Sequence, residues 1–195
     1  YGGSTLATKL ANGTPVKLTQ ETEYPWNGRV RITINECGPA PFALKLRIPG
    51  WANNASVRVN LGPVTDTTPP GGYFELRRNW KPGDVVDLDL PMSVQLIEAN
   101  PLVEETLGQI AVKRGPVVYC LESPDLPEDV RLMGTCMPTD PKFLAHHDQR
   151  LLGDVVALNT TLLVRTSDDW SGKLYRALKP SELRPVKAKL IPYYV

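Results

Sequence analysis

The segment Pro41 to Ala52, PFALKLRIPGWA, restricts the fold more than any other, because its side chains alternate in character with a period of two. Phe42, Leu44, Leu46 and Ile48 fall on one side and Ala43, Lys45 and Arg47 on the other, the pattern of a strand with one wet face. Pro49 brings no ladder donor and Gly50 tolerates a positive φ, so the strand stops there and Trp51 packs over its end or against a neighbour. The same rhythm recurs along the first half. Thr5 to Leu10 and Val16 to Thr22 flank Asn12-Gly13, a strong hairpin signal. After Pro25-Trp26-Asn27-Gly28, the run Arg29 to Asn35 sets Val30, Ile32 and Ile34 against Arg29, Arg31 and Thr33. Val57 and Val59 mark a short strand, Thr65 to Gly72 reads as a loop, and Tyr73 to Arg77 resumes the extended pattern. Lys81-Pro82-Gly83-Asp84 turns the chain into Val86, Leu88 and Leu90, alternating with Asp87 and Asp89 until Pro91.

The second half follows the same style less regularly. Gln109 to Val112 and Pro116 to Leu121 read as a strand pair joined through Lys113-Arg114-Gly115, and Glu122 to Asp129 as a polar, proline-bearing connection. From Val130 to Gln149 the pattern is poor. Val155 to Val164, Leu174 to Leu178 and Val186 to Tyr194 read as further strands, with a short helical turn over Lys179 to Arg184. Strands about 8 to 12 residues apart, separated by turns and without helical periodicity, predict an all-β chain of antiparallel sandwiches. A break near Glu98 to Pro101 divides it into two antiparallel β-sandwich domains, residues 1–98 and 99–195, the second truncated at its C-terminal end.

The composition narrows the function classes. The chain has 195 residues, enough for two small cores, and its 22 basic against 21 acidic residues leave a formal charge of +1. That balance supplies no long-range field for nucleic acid or an anionic membrane, so neither is expected as a partner. No apolar run approaches the roughly 20 residues of a membrane helix, and a soluble chain is expected. Cys37, Cys120 and Cys136 are odd in number and lack C-x-x-C spacing, which speaks against a disulfide framework or zinc ribbon and reads as ordinary buried thiols. Tyr1 follows no charged-then-apolar leader, and Ile191-Pro192-Tyr193-Tyr194-Val195 stops within an apparent strand. A fragment is expected, with its compartment left open between bacterial cytoplasm and periplasm.

Four groups of residues invite a chemical role. His146-His147-Asp148 is the histidine cluster, but adjacent residues of a strand face opposite ways and cannot easily share a metal; a solvated loop is the simpler reading. Asp87 and Asp89 share the wet face opposite Val86, Leu88 and Leu90, where charge belongs. Glu104-Glu105 and Asp168-Asp169 read as loop charges, because paired-carboxylate catalysis needs the two groups held about 5 Å apart in a cleft and sequence neighbours do not establish that. Trp26, Trp51, Trp80 and Trp170 suit either a sugar-stacking platform or core and seam packing. The sequons at Asn12, Asn54 and Asn159 matter only in a host that secretes and glycosylates the protein.

The phrases QETEYPWNGRVRITIN, FALKLRIPGWA, GYFELRRNWKPGDVVDLDLPM, IEANPLVEETLGQIAVKRGPVVYCLE and AKLIPYY, in that order, resemble glycoside hydrolase family 127 and its relative family 146. These are β-L-arabinofuranosidases and related proteins. The resemblance implies a position behind an (α/α)6 catalytic barrel, in a pair of β-sandwich domains. It also implies, for that barrel, retaining hydrolysis by a zinc-held cysteine nucleophile with a glutamate as general acid and base. The family's ligand set needs an adjacent Cys-Cys pair and a Glu-x-Cys, which Glu36-Cys37 and Tyr119-Cys120 do not provide. No catalytic, cofactor-binding or metal-binding residue is therefore expected here, and zinc is expected only in the catalytic domain. The expected role is non-catalytic support of the barrel, which is the expected partner, with self-association through the uncovered face. A plant-glycan binding module and an architectural surface sandwich are the alternatives.

Overall fold

The computed structural model describes residues 1–67, 69–150, 153–165, 172–177 and 182–194. Strands dominate them, joined by a few single-turn 3-10 segments, and the chain is all-β as the alternation predicts. Two compact units emerge: Tyr1–Gln95 with Arg114–Pro116, and Leu96–Lys113 with Val117–Val195.

The first unit contains β1 (Ser4–Lys9), β2 (Pro15–Thr22), β3 (Arg29–Glu36), β4 (Phe42–Arg47), β5 (Ser56–Val59), β6 (Val64–Asp66), β7 (Tyr73–Arg78) and β8 (Val85–Asp89). Six of these form an antiparallel sheet in the order β1-β2-β3-β8-β5-β6, and β4 and β7 form a separate ladder. The apolar positions read from the sequence fill the space between. Val30, Ile32 and Ile34 of β3, Val57 of β5, and Val86 and Leu88 of β8 pack in one cluster with Leu46, Ile48, Trp80 and Leu90. Each such side chain contributes on the order of 1.5–3 kcal/mol by leaving water. Trp80 closes the cluster: its indole N–H donates to the Phe42 carbonyl at 3.0 Å, and its ring lies 6.0 Å from the Phe42 ring.

Turn chemistry sets the edges of this unit. Gly28 lies so close to the chain leaving β8 that an added Cβ would sit 1.8 Å from the Leu90 carbonyl oxygen, a clash of backbone rather than side chain. Asp84, in the turn before β8, accepts hydrogen bonds from the Lys81 N–H at 2.9 Å and the Asn60 side-chain amide at 3.0 Å. Burial alone would raise its pKa. Those hydrogen bonds and the nearby Arg78 and Lys81 charges reverse that and hold the carboxyl below its ordinary range. Asn60 stands at φ 54°, a position its short polar side chain tolerates, and its Oδ1 accepts from the Val85 N–H at 2.8 Å. One expectation is corrected here. The loop predicted from Thr65 gives up Thr65 and Asp66 to β6, because β5 offers an open edge directly across the turn at Leu61-Gly62.

The second sheet is built from β9 (Val94–Glu98), β10 (Ile110–Arg114), β11 (Val117–Leu121), β12 (Thr135–Cys136), β13 (Leu144–Asp148), β14 (Val155–Arg165) and β15 (Leu183–Pro192). Its order is β12-β14-β15-β11-β10-β9, with β13 also paired to β14. β9 is thus the outer strand of this sheet rather than the close of the first. Leu158 pairs with both Ala145 and Leu190, and Val164 with both Thr135 and Arg184, so β12 and β13 share the edge of β14 opposite β15. One apolar face, Leu162 and Val164 of β14 with Val186 and Ala188 of β15, is covered by Leu126 and Val130 from the connection after β11. Irregular chain supplies that cover.

Four readings of this half change. The patternless stretch from Val130 to Gln149 contributes β12 and β13, which are strands because β14 offers them a ladder and not because of their own alternation. Residues 174–177 of the predicted strand Leu174 to Leu178 carry no strand: Leu174 is 85% and Tyr175 91% exposed, so no described residue buries a face for them. Leu178 and residues 179–181 lie outside the described residues, while Leu183 and Arg184 belong to β15 and not to a helical turn. The pair joined near Gly115 turns later than predicted, since Lys113 and Arg114 remain in β10.

Candidate functional site

The wet face of the six-stranded sheet carries charge in ordered rows. Across β2, β3, β8 and β5, register aligns Glu21 with Arg31, Arg31 with Asp87, and Asp87 with Arg58. The next row aligns Arg29 with Asp89 and Asp89 with Ser56. These side chains line a groove of about 710 Å³. Arg31 Nε donates to Asp87 Oδ1 at 2.8 Å, and this hydrogen bond raises the guanidinium pKa further. The Arg31 side chain is 58% exposed, so water screens the pair and its worth to stability is small. Asp87 and Asp89 do face outward, opposite buried Val86, Leu88 and Leu90. Two residues apart on one strand, their backbones are about 6.6 Å apart, which does not set up the 5–5.5 Å carboxyl pair of a retaining glycosidase. The groove can offer hydrogen bonds of both signs to a polar partner.

His146, His147 and Asp148 lie in β13, not in the solvated loop expected of them, because the segment from Leu144 to Asp148 pairs with β14. The two imidazoles face opposite ways. His147 Nδ1 stands 3.4 Å from Asp154 Oδ1 at the surface, whereas His146 is half-buried and its Nδ1 has no hydrogen-bond partner among the described residues. Asp148 accepts from the Arg150 N–H at 3.1 Å and lies 3.5 Å from Lys189 Nζ; the main-chain hydrogen bond first, then the lysine, hold its carboxyl below the usual range. Among the described residues no three His, Cys, Asp or Glu side chains are grouped to hold a metal. Glu104-Glu105 form an exposed single turn, and Asp168-Asp169 lie outside the described residues.

The cysteines correct the expectation of buried thiols. Cys37 and Cys120 are half-buried, while Cys136 is exposed on the two-residue strand β12. Burial pushes the Cys37 and Cys120 thiols up, and Cys37 Sγ lies 3.3 Å from the Trp80 carbonyl. The thiolate–zinc chemistry implied by the resemblance finds no ligand set in these residues: the three cysteines stand on separate segments, without the adjacent Cys-Cys pair and Glu-x-Cys.

Among the described residues no tryptophan is fully exposed. Trp80 is buried in the core. Trp51 is half-buried and stacks on Tyr24, with ring centres 6.4 Å apart, and Tyr1 meets Tyr24 edge-on at 6.1 Å. The Tyr1 hydroxyl donates to the Arg47 carbonyl, and burial pushes its pKa up to about 12. Trp26 is half-buried and its carbonyl accepts from Arg114 at 3.1 Å; Trp170 lies outside the described residues. The sequon asparagines are exposed, Asn12 in the first hairpin turn, Asn54 at φ 58° and Asn159 within β14.

Two features escaped the sequence reading. Leu102 (88% exposed), Leu107 (61%) and their neighbours Leu96, Ile97, Val103 and Ile110 leave an apolar stretch between β9 and β10 open to solvent. A cavity of about 560 Å³ in the second unit is lined by Lys142, Phe143, Asn159, Thr161, Lys187 and Lys189, with Asp125 at its side. The usable signal was the outward alternation of Asn159 with Thr161 and of Lys187 with Lys189, but their pairing across strands only the register reveals.

Two family models match the chain in succession: the β-L-arabinofuranosidase GH127 middle domain over residues 1–92, and the glycoside hydrolase family 127 C-terminal domain over residues 94–195. A non-reducing end β-L-arabinofuranosidase of Bifidobacterium longum subsp. longum is 31% identical, over 95% of this chain and 29% of its own length. Among solved structures, a glycoside hydrolase superposes over 100% of this chain and 32% of its own, at 40% identity and a TM-score of 0.90. A GH127 β-L-arabinofuranosidase from Geobacillus stearothermophilus T6 does so over 98% and 30%, at 39% identity and a TM-score of 0.89. The chain spans about a third of the length of these relatives.

Proposed function

The chain belongs to glycoside hydrolase family 127, and from that premise we propose that it is the non-catalytic β-sheet portion of a β-L-arabinofuranoside-cleaving enzyme, a scaffold on which a separate catalytic region sits. One observation carries this reading: the middle and C-terminal domain models account for the chain almost end to end, while relatives with the activity are about three times longer. The exposed apolar stretch from Leu96 to Ile110 supports it, since side chains of that size gain by being covered. So do the cysteines, which lack the adjacent Cys-Cys pair and Glu-x-Cys of the ligand set that the family's nucleophile needs. Support of this kind matters for rate. A small displacement of a catalytic group lowers activity, so rigid elements far from the reacting atoms help set the cleft.

Two measurements test the proposal. The 195-residue chain, given an aryl β-L-arabinofuranoside, is expected to release no arabinose; steady release proportional to protein would overturn the inactive assignment. Removing the matching third of the Bifidobacterium longum enzyme is expected to lower its melting temperature and cut its activity. A truncated enzyme with full activity and unchanged melting would sink the scaffold role.

A further inference from the structure

We propose that the cavity over β14 and β15 binds an anionic, hydroxyl-bearing ligand of the uronic-acid sugar class, a function separate from support of a catalytic region. The argument begins with charge. Lys142, Lys187 and Lys189 line the cavity, against the single carboxylate of Asp125. Two of the three ammonium groups are already committed. Lys189 Nζ lies 3.2 Å from Asp125 and 3.5 Å from Asp148, and Lys142 Nζ lies 2.9 Å from Asp140. Lys187 has no carboxylate within ion-pair distance among the described residues and stands at an exposed position of β15, so one ammonium of the lining is free to meet a ligand. A ligand carboxylate there forms a charge-assisted hydrogen bond, roughly twice as strong as a neutral one.

The remaining lining selects hydroxyls. Register places Thr161 opposite Lys187 and Asn159 opposite Lys189, with Leu144 on the other side of Asn159. Asn159 and Thr161 are exposed alternate residues of β14, about 6.6 Å apart along the strand, so both offer side-chain hydrogen bonds to one ligand of sugar size. Phe143 supplies an aromatic wall, and its segment is fixed without ligand because the Thr160 hydroxyl donates to the Lys142 carbonyl at 2.8 Å. A phosphate is matched less well, since neither an arginine fork nor a helix N-terminus lines the cavity. The volume, about 560 Å³, is within the ordinary range for small-ligand sites.

The test is a titration of the ¹⁵N-labelled 195-residue chain, followed by amide shifts, with digalacturonate, L-arabinose and inorganic phosphate as separate probes. Digalacturonate is expected to move Asn159, Thr161, Lys187 and Lys189 saturably while the first unit stays still. Lys187→Glu is expected to weaken that binding about tenfold or more, and Lys187→Gln less so, each with the rest of the spectrum unchanged. If Lys187→Glu fails to fold, Lys187→Gln alone decides the charge dependence. No saturable shift at tens of millimolar digalacturonate, equal response to arabinose or phosphate, or wild-type affinity in the folded charge variants would overturn the proposal.

Discussion

The two units solve the same problem with different cover. In the first, β4 and β7 lie over the six-stranded sheet, so alternation supplies both the apolar face and the layer that closes it. In the second, part of the sheet is closed by Leu126 and Val130, carried on the connection between β11 and β12. A strand used as cover is held by its own ladder as well as by packing. An irregular segment is held mainly by the side chains it buries, and it opens at lower cost. The comparison teaches that equal burial need not mean equal resistance to opening.

Gly28→Ala puts the largest strain on this contrast. The new Cβ would meet the Leu90 carbonyl oxygen, whose residue also donates its N–H to the Gly28 carbonyl at 3.0 Å, and neither backbone can yield without parting β3 from β8. A loss of about 4 kcal/mol or more is expected, at the extreme of single substitutions, read as a collapsed urea midpoint for the first unit. Trp80→Ala comes next, at about 3–5 kcal/mol, because a buried ring and its hydrogen bond to Phe42 both go. In the second unit, Leu126→Ala is expected to cost about 2 kcal/mol, the low end for such a truncation, since the irregular cover can settle into the space. If Leu126→Ala costs as much as Trp80→Ala in parallel urea titrations, the distinction between the two kinds of cover fails.

The smallest effect belongs to Asp84→Asn, and its sign depends on pH. The folded carboxyl titrates below the unfolded value of about 3.9, so its stabilisation is present above that value and lost as pH falls through the folded pKa. The gap in urea midpoint between wild type and variant is therefore expected at neutral pH and should close in strong acid. A gap that widened on acidification would show that Asp84 is not held in its charged form by the turn.

Much of the first unit was legible because each strand announces itself: Val30, Ile32 and Ile34 alternate cleanly, and Asn12-Gly13 and Pro82-Gly83 mark turns with known backbone demands. The second unit was less so. β12 and β13 are strands by courtesy of β14, and LAHHD carries no apolar rhythm of its own to read. The outward direction of Asp87 and Asp89 was visible, but not the row that joins Glu21 to Asp87 through Arg31, because register between distant segments is a tertiary property. The lysine-lined cavity was hidden for the same reason, its walls coming from residues 125, 142–144, 159–161 and 187–189.

β14 is hydrogen-bonded along one edge to β15 and along the other to both β12 and β13. Such a strand behaves like a keystone: its neighbours cannot be stripped away one at a time while it stays fixed to all of them. Amide exchange at its centre would then report the whole assembly letting go at once, giving the second unit a built-in clock for its own global unravelling.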